Sequence, residues 1–187
     1  MREQDYQGVC GLYCGLCPRF QSSAPSRCLG CQLGPQHDYC SVYRCSAERG
    51  HLTCAACNEY CCERLSRVIG VGQEADSFVS HKPAIPNLER IREVGLESHL
   101  AEQQGRRLLA EHLIRSYNEG RSMTLFCTAC ALMPLGLIRG SVGEIEALLA
   151  TGRVDPADIK ARAKAMKLSI REQAQQAGID LKLRRGK

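Results

Sequence analysis

Eleven of the chain's thirteen cysteines fall between Cys10 and Cys62, in the order Cys10, Cys14, Cys17, Cys28, Cys31, Cys40, Cys45, Cys54, Cys57, Cys61, Cys62. Three Cys-x-x-Cys pairs stand among them, at 14/17, 28/31 and 54/57. The chemistry open to thiols at this spacing is ligation of a soft metal. A two-residue spacer lets both thiolates of a pair turn toward one ion, and two such pairs complete a tetrahedral sulfur site. One pair is a weak signal, but three in a single segment are a strong one.

The competing uses of so many cysteines are disulfides and redox thiols. Secreted small domains are disulfide-dense, but residues 1–8, MREQDYQG, show no basic-then-apolar leader, so the expectation is a cytoplasmic protein with reduced thiols. Zinc and iron–sulfur clusters share four-thiolate geometry, and spacing alone does not separate them. Pro18 after Cys17 is a feature of ferredoxin cluster motifs, although the order here, x3, x2 and then Pro, departs from theirs. The Cys10-x3-Cys14-x2-Cys17 spacing also occurs in radical enzymes, which need a βα barrel that the following sequence does not encode. Zinc is therefore the expected metal and an iron–sulfur cluster the alternative.

Ligand pairing stays open. A consecutive scheme joins 14/17 to 28/31 and 54/57 to 40/45, whereas an interleaved scheme brings in Cys10 and Cys61. Vicinal Cys61 and Cys62 are poorly placed to face one ion together, which makes Cys62 the best candidate for a non-ligand. Cys127 and Cys130 read as small buried hydrophobes more readily than as ligands. His37 and His51 lie inside the cluster but compete with an excess of thiols. His81, His99 and His112 have no partner motif.

The elements that must hold these thiols are not rich in apolar side chains. Residues 1–65 contain few large aliphatics, so the area they can bury falls short of the entropy of ordering the segment. Metal is expected to supply the difference, since for a structural zinc site binding free energy is folding free energy. The same residues carry six arginines and six acids and sum to zero, which leaves the net +5 beyond them. Four thiolates around a divalent ion leave two excess negative charges, so a loaded module is acidic and unlike a nucleic-acid-gripping finger.

After Cys62, residues 66–86 hold Gly70, Gly72, Pro83 and Pro86 and read as a connector. From Asn87 the pattern is helical. Asn87 is placed as the cap of a helix from Leu88 to Gly95, and a second helix covers residues 97–117. A short helix after Ser122 carries Cys127 and Cys130. Ser141 and Glu144 suggest a capping box, and Asp155, Pro156 and Asp158 open a final helix that Gly178 ends. That helix pairs an apolar stripe, Ile159, Ala163, Met166 and Ile170, with a basic stripe, Lys160, Lys164, Lys167 and Arg171. Residues 179–184 alternate in polarity, as a short strand or a frayed tail would. No apolar run approaches a membrane span, and no catalytic set or phosphate-binding loop is legible.

The stretch CGLYCGLCPRF, then CLGC, then CAACNEYCCERL resembles a bacterial and archaeal family of uncharacterised cysteine-rich proteins, the domain of unknown function thirty-seven ninety-five. NLERIREVGLESHLAEQQGRRLL, YNEGRSMTLFCTACALMPL and DIKARAKAMKL are similar to its longer members, so the resemblance runs along nearly the whole chain. It implies metal binding, with zinc foremost, at Cys10, Cys14, Cys17, Cys28, Cys31, Cys40, Cys45, Cys54, Cys57 and Cys61. It implies no activity.

The expected architecture is a small, irregular, metal-stabilised, zinc-knuckle-like module over residues 1–65, a connector over 66–86, and an α-helical region over 87–187, mainly α overall. The expected role is structural or interaction-based, more a binding protein than an enzyme. Another protein is the expected partner, nucleic acid at the basic last helix the weaker one, and a membrane is not expected.

Overall fold

The computed structural model describes residues 2–70 and 76–184, apart from the side chains of Gln36 and His37. The chain is mainly helical, with no strand among the described residues. It divides into two compact units, Met1–Gly105 with Leu183–Lys187, and Arg106–Lys182.

The first unit opens with a 3₁₀ turn, Glu3–Tyr6, and a loop closed by one antiparallel bridge between Gln7 and Tyr13. A second 3₁₀ turn, Cys14–Leu16, leads into α1 (Pro18–Gln21), with Pro18 at the first position, where its missing N–H costs nothing. Then come α2 (Gln36–Tyr39), α3 (Ser41–Glu48), a third 3₁₀ turn (Cys54–Ala56), α4 (Glu63–Ile69) and α5 (Ala84–Val94). The helix α6 (Leu96–Tyr117) follows, and the division between the units falls within it.

The sulfur-rich segment does not fold around its own side chains alone. Val9, Cys10 and Val42 share one core with Leu65 and Ile69 of α4 and Leu88 and Ile91 of α5. The aliphatic surface scarce in residues 1–65 is thus completed by α4, whose Leu65 and Ile69 straddle the boundary read at residue 65, and by α5, at about 25 cal/mol per Å² buried. The first unit accordingly reaches Gly105, well past the composition change at residue 65.

α5 starts at Ala84, so Asn87 lies inside the helix and is not its cap. Pro86 sits in the first turn, where a proline is tolerated, and prolines 83 and 86 therefore open the helix instead of excluding it. The freed Asn87 side chain donates from Nδ2 to the Gly11 carbonyl at 2.8 Å. Gly11 has φ +90°, and a Cβ there would stand 2.1 Å from the Ala84 carbonyl oxygen. Only glycine permits this approach of the cysteine loop to α5.

The second unit comprises α7 (Met123–Leu132), α8 (Leu135–Ala150), α9 (Ile159–Gln176) and residues 106–117 of α6. α8 packs on α9, and α7 packs on both. Phe126, Cys127, Cys130, Ile138, Met166 and Ile170 are fully buried there. The capping box at Ser141 is absent: Pro134 caps α8 seven residues earlier, which leaves Ser141 buried in mid-helix. Glu144 accepts instead from the Ser169 hydroxyl at 2.6 Å. Asp158 caps α9, its carboxylate accepting from the Lys160 and Ala161 amides at 2.8 and 3.1 Å. Ala163, Met166 and Ile170 face the core, while Lys160, Lys164 and Arg171 are exposed and Lys167 pairs with Glu119 at 2.6 Å.

Residues 179–184 form no strand. Arg184, back in the first unit, is held by Asp76, whose carboxylate receives the Arg184 amide and guanidinium, each at 2.9 Å, and the His81 amide at 3.0 Å. No helix of the described residues is long and apolar enough to cross a membrane.

Candidate thiol centre

None of the thirteen cysteines is in a disulfide. Within the first unit, those of the cluster gather into two neighbourhoods.

The first joins Cys14/Cys17 to Cys28/Cys31. Cys14 and Cys17 flank a 3₁₀ turn, closed by the Cys17 amide on the Cys14 carbonyl at 3.0 Å. Cys31 donates its amide to the Cys14 sulfur at 3.4 Å, and the two thiols are themselves hydrogen-bonded. The thiol hydrogen bond from Cys14 lowers Cys31 to about 7 against the opposing effect of burial, while Cys14 is raised by the same bond and by its own burial. Gly30, at φ +88°, makes the turn that brings its own amide to the Cys28 sulfur at 3.4 Å. Burial raises the Cys17 thiol against the opposing effect of the Phe20 and Arg19 amides at the start of α1, with Cys28 and Cys31 adding to the rise. Backbone N–H groups aimed at sulfur stabilise thiolates and orient them for a cation.

The second neighbourhood surrounds Cys54. Cys54 and Cys57 flank the 3₁₀ turn Cys54–Ala56 in the same manner as the first pair, with the Cys57 amide on the Cys54 carbonyl at 3.1 Å. Burial raises the Cys54 thiol to about 12, with Cys62, Cys57, Cys45 and Cys40, in descending order, adding to the effect. Cys45, Cys54, Cys57 and Cys62 line one recess of about 30 Å³, together with His51 and Arg49. Arg49 donates to the Cys57 sulfur at 3.5 Å and pairs with Glu59 at 3.0 Å. Cys40 caps α3, its sulfur accepting from the Tyr43 amide at 3.4 Å.

These neighbour relations follow the consecutive scheme for the first four thiols and add Cys62 to the rest. Cys10 belongs to the core beside Cys40, Cys54 and Cys62, and burial pushes its thiol up to about 12. Cys61 is exposed, with its sulfur 3.5 Å from the Ser66 hydroxyl. Cys127 and Cys130 are in the second unit, both fully buried on α7, and burial raises Cys130 to about 12. His37 has its side chain outside the described ones.

Comparison with protein-family models, with curated proteins and with solved structures yields no significant match. What the centre can do is therefore argued from its donors. Among the described residues no three Cys, His, Asp or Glu side chains converge on a common point at metal-bonding distance. The thiols surround shared spaces without closing on a centre. The donor chemistry nevertheless fits a soft ion: sulfur ligands in pairs, backbone amides on the Cys14, Cys28 and Cys40 sulfurs, and an arginine beside the second group.

Sequence reasoning did not find the residues that fix this arrangement. Asn87 and Gly11 hold the first loop to α5. Arg92 of α5 donates to the Ala55 carbonyl at 3.3 Å and stacks over Tyr60 at 5.1 Å, which secures the 54/57 turn. An asparagine or arginine in a helix carries no spacing signal. Gly11 alone, next to Cys10, offers one.

Proposed function

We propose that the chain is a metal-binding protein that holds zinc in four-thiolate sites, with a structural or protein-interaction role. The observation that carries this reading is the junction of the 14/17 and 28/31 pairs, where the Cys31 amide and thiol both meet the Cys14 sulfur across seventeen residues of sequence. Nothing in an ordinary core requires two Cys-x-x-Cys turns to meet sulfur to sulfur. A four-thiolate site has no open position for a substrate, so the ion acts as a cross-link and not as a Lewis acid. The family resemblance carried by CGLYCGLCPRF points the same way.

The second reading is an iron–sulfur protein that carries electrons or serves a redox enzyme. Amide-to-sulfur hydrogen bonds at Cys14 and Cys28 favour it, since such bonds tune cluster potentials. Elemental analysis separates the two. On protein purified without a metal-binding tag and under exclusion of oxygen, about two zinc per chain with no iron is expected. Iron in multiples of four with acid-labile sulfide replaces the zinc reading by the second, and absence of both metals removes the two together.

A further inference from the structure

The recess in the second thiol neighbourhood points beyond a general capacity for metal. Its sulfurs come from three places: Cys45 on α3, Cys54 and Cys57 on the 3₁₀ turn, and Cys62 at the cap of α4. The vicinal cysteine that spacing favours, Cys61, lies outside it and exposed. Cys40, the partner of Cys45 in the consecutive scheme, is not among the lining residues either; it is committed to capping α3 and to the core.

We infer that Cys45, Cys54, Cys57 and Cys62 form a mononuclear site for a thiophilic divalent cation, with Cys62 as the fourth ligand in place of Cys40 or Cys61. This inference rests on the metal-binding reading above and assigns the ligands of its second site.

Two features support it. The recess, at about 30 Å³, has room for one or two water-sized occupants, the space of a single ion. The lining carries positive charge beside a centre with two excess negative charges: Arg49, paired with Glu59 of the same lining, also reaches the Cys57 sulfur, and Arg64 adds a second guanidinium. The four thiols do not converge on one point in this structure, so binding requires them to move to the zinc–thiolate distance of about 2.3 Å. His51 lines the same recess and is the competing fourth ligand.

The experiment compares metal content per chain, and the Co(II) spectrum after substitution, in the full-length protein and in Cys62→Ser, Cys61→Ser, Cys40→Ser and His51→Ala. The full chain is expected to hold about two zinc. Cys62→Ser should lose about one of them, and the other three variants should keep both. Cys62→His guards against a Cys62→Ser chain that fails to fold, because imidazole is a competent ligand: it should retain two ions while its cobalt d–d bands shift to higher energy, as one sulfur gives way to nitrogen. Two ions in folded Cys62→Ser, or an unshifted cobalt spectrum in Cys62→His, overturns the ligand assignment and leaves the metal-binding reading standing. A full-length protein without metal overturns both.

Discussion

Asn87 of α5 donates its side-chain amide to the Gly11 carbonyl at 2.8 Å, and at the same point Gly11 lies so close to Ala84 that a methyl group would overlap the helix backbone. The two residues are far apart in sequence, yet this junction sets where the Cys10 loop stands against α5. Replacing Gly11 by alanine imposes both a left-handed backbone on a residue with a side chain and a contact at 2.1 Å. The expected cost is about 3 kcal/mol or more, at the severe end of point substitutions. Asn87→Ala, which only leaves the carbonyl without its donor, is expected to cost about 1–2 kcal/mol. Urea unfolding of the metal-loaded proteins measures both, and equal effects would contradict the close approach.

Acid should weaken both units through one carboxylate in each. Burial would raise Asp76, but hydrogen bonds from Arg184 and the His81 amide overcome it and bring the group from 3.8 to about 2. Burial likewise opposes Lys167 and Ser122 at Glu119, which falls from 4.5 to about 2. Folded values below the unfolded ones mean that the stabilisation is complete above about pH 4.5 and is lost as pH falls through about 2. Each group is expected to contribute about 1–2 kcal/mol at neutral pH, discounted from the full shift because Arg184 and Lys167 are partly exposed. Asp76→Asn and Glu119→Gln should each lower stability at pH 7 by that amount and flatten the acid limb. Parallel pH–stability curves for variant and parent would count against the assignment.

Helices α6, α7 and α9 were legible in the sequence because caps and apolar periodicity agree with packing there, as Asp158 and the Ala163–Met166–Ile170 stripe show. Two caps were misplaced, and both for the same cause. A proline that ends one helix can open the next, so Pro83 and Pro134 set the true starts of α5 and α8, and Asn87 and Ser141 became interior residues with other uses. In the thiol centre, Cys-x-x-Cys spacing located the turns at 14/17 and 54/57 because that local chemistry is short-range. Which turns meet is a long-range property that no spacing rule encodes: Cys31 reaches Cys14 directly, while α5 holds the Gly11 loop through Asn87 and the 54/57 turn through Arg92. Vicinal Cys61 and Cys62 show the limit most clearly: adjacent in sequence, they differ in surroundings, one exposed and one in the recess.

Thiol reactivity should reproduce that difference. With native, metal-loaded protein at pH 7.5, iodoacetamide is expected to label Cys61 first, since it alone among the cysteines is exposed. Cys127 and Cys130 should not react until the chain unfolds, because both are inaccessible and burial holds the Cys130 thiol near 12. As a ligand in the proposed second site, Cys62 should resist in metal-loaded protein. Peptide mapping by mass spectrometry reads each site, and early labelling of Cys62 in loaded protein would favour a reactive thiol over a ligand there.

Metal removal should separate the two units. The first unit has cysteines woven into its core, with Cys10 buried among Val9, Val42, Leu65 and Leu88, and loops that reach Cys62 with little regular structure. Structural zinc contributes about 10–16 kcal/mol to comparable small modules, which equals or exceeds the net stability of a typical domain. The second unit is built on Phe126, Ile138, Met166 and Ile170, with none of the clustered cysteines. A strong chelator under reducing conditions is therefore expected to abolish amide protection across residues 7–70 by several orders of magnitude, while amides of α7, α8 and α9 keep most of theirs. Met166→Ala supplies the converse, at about 2–5 kcal/mol lost from the second unit without loss of metal. Hydrogen exchange with and without chelator measures both effects, and uniform loss of protection along the whole chain would mean that the metal supports more than the first unit's core.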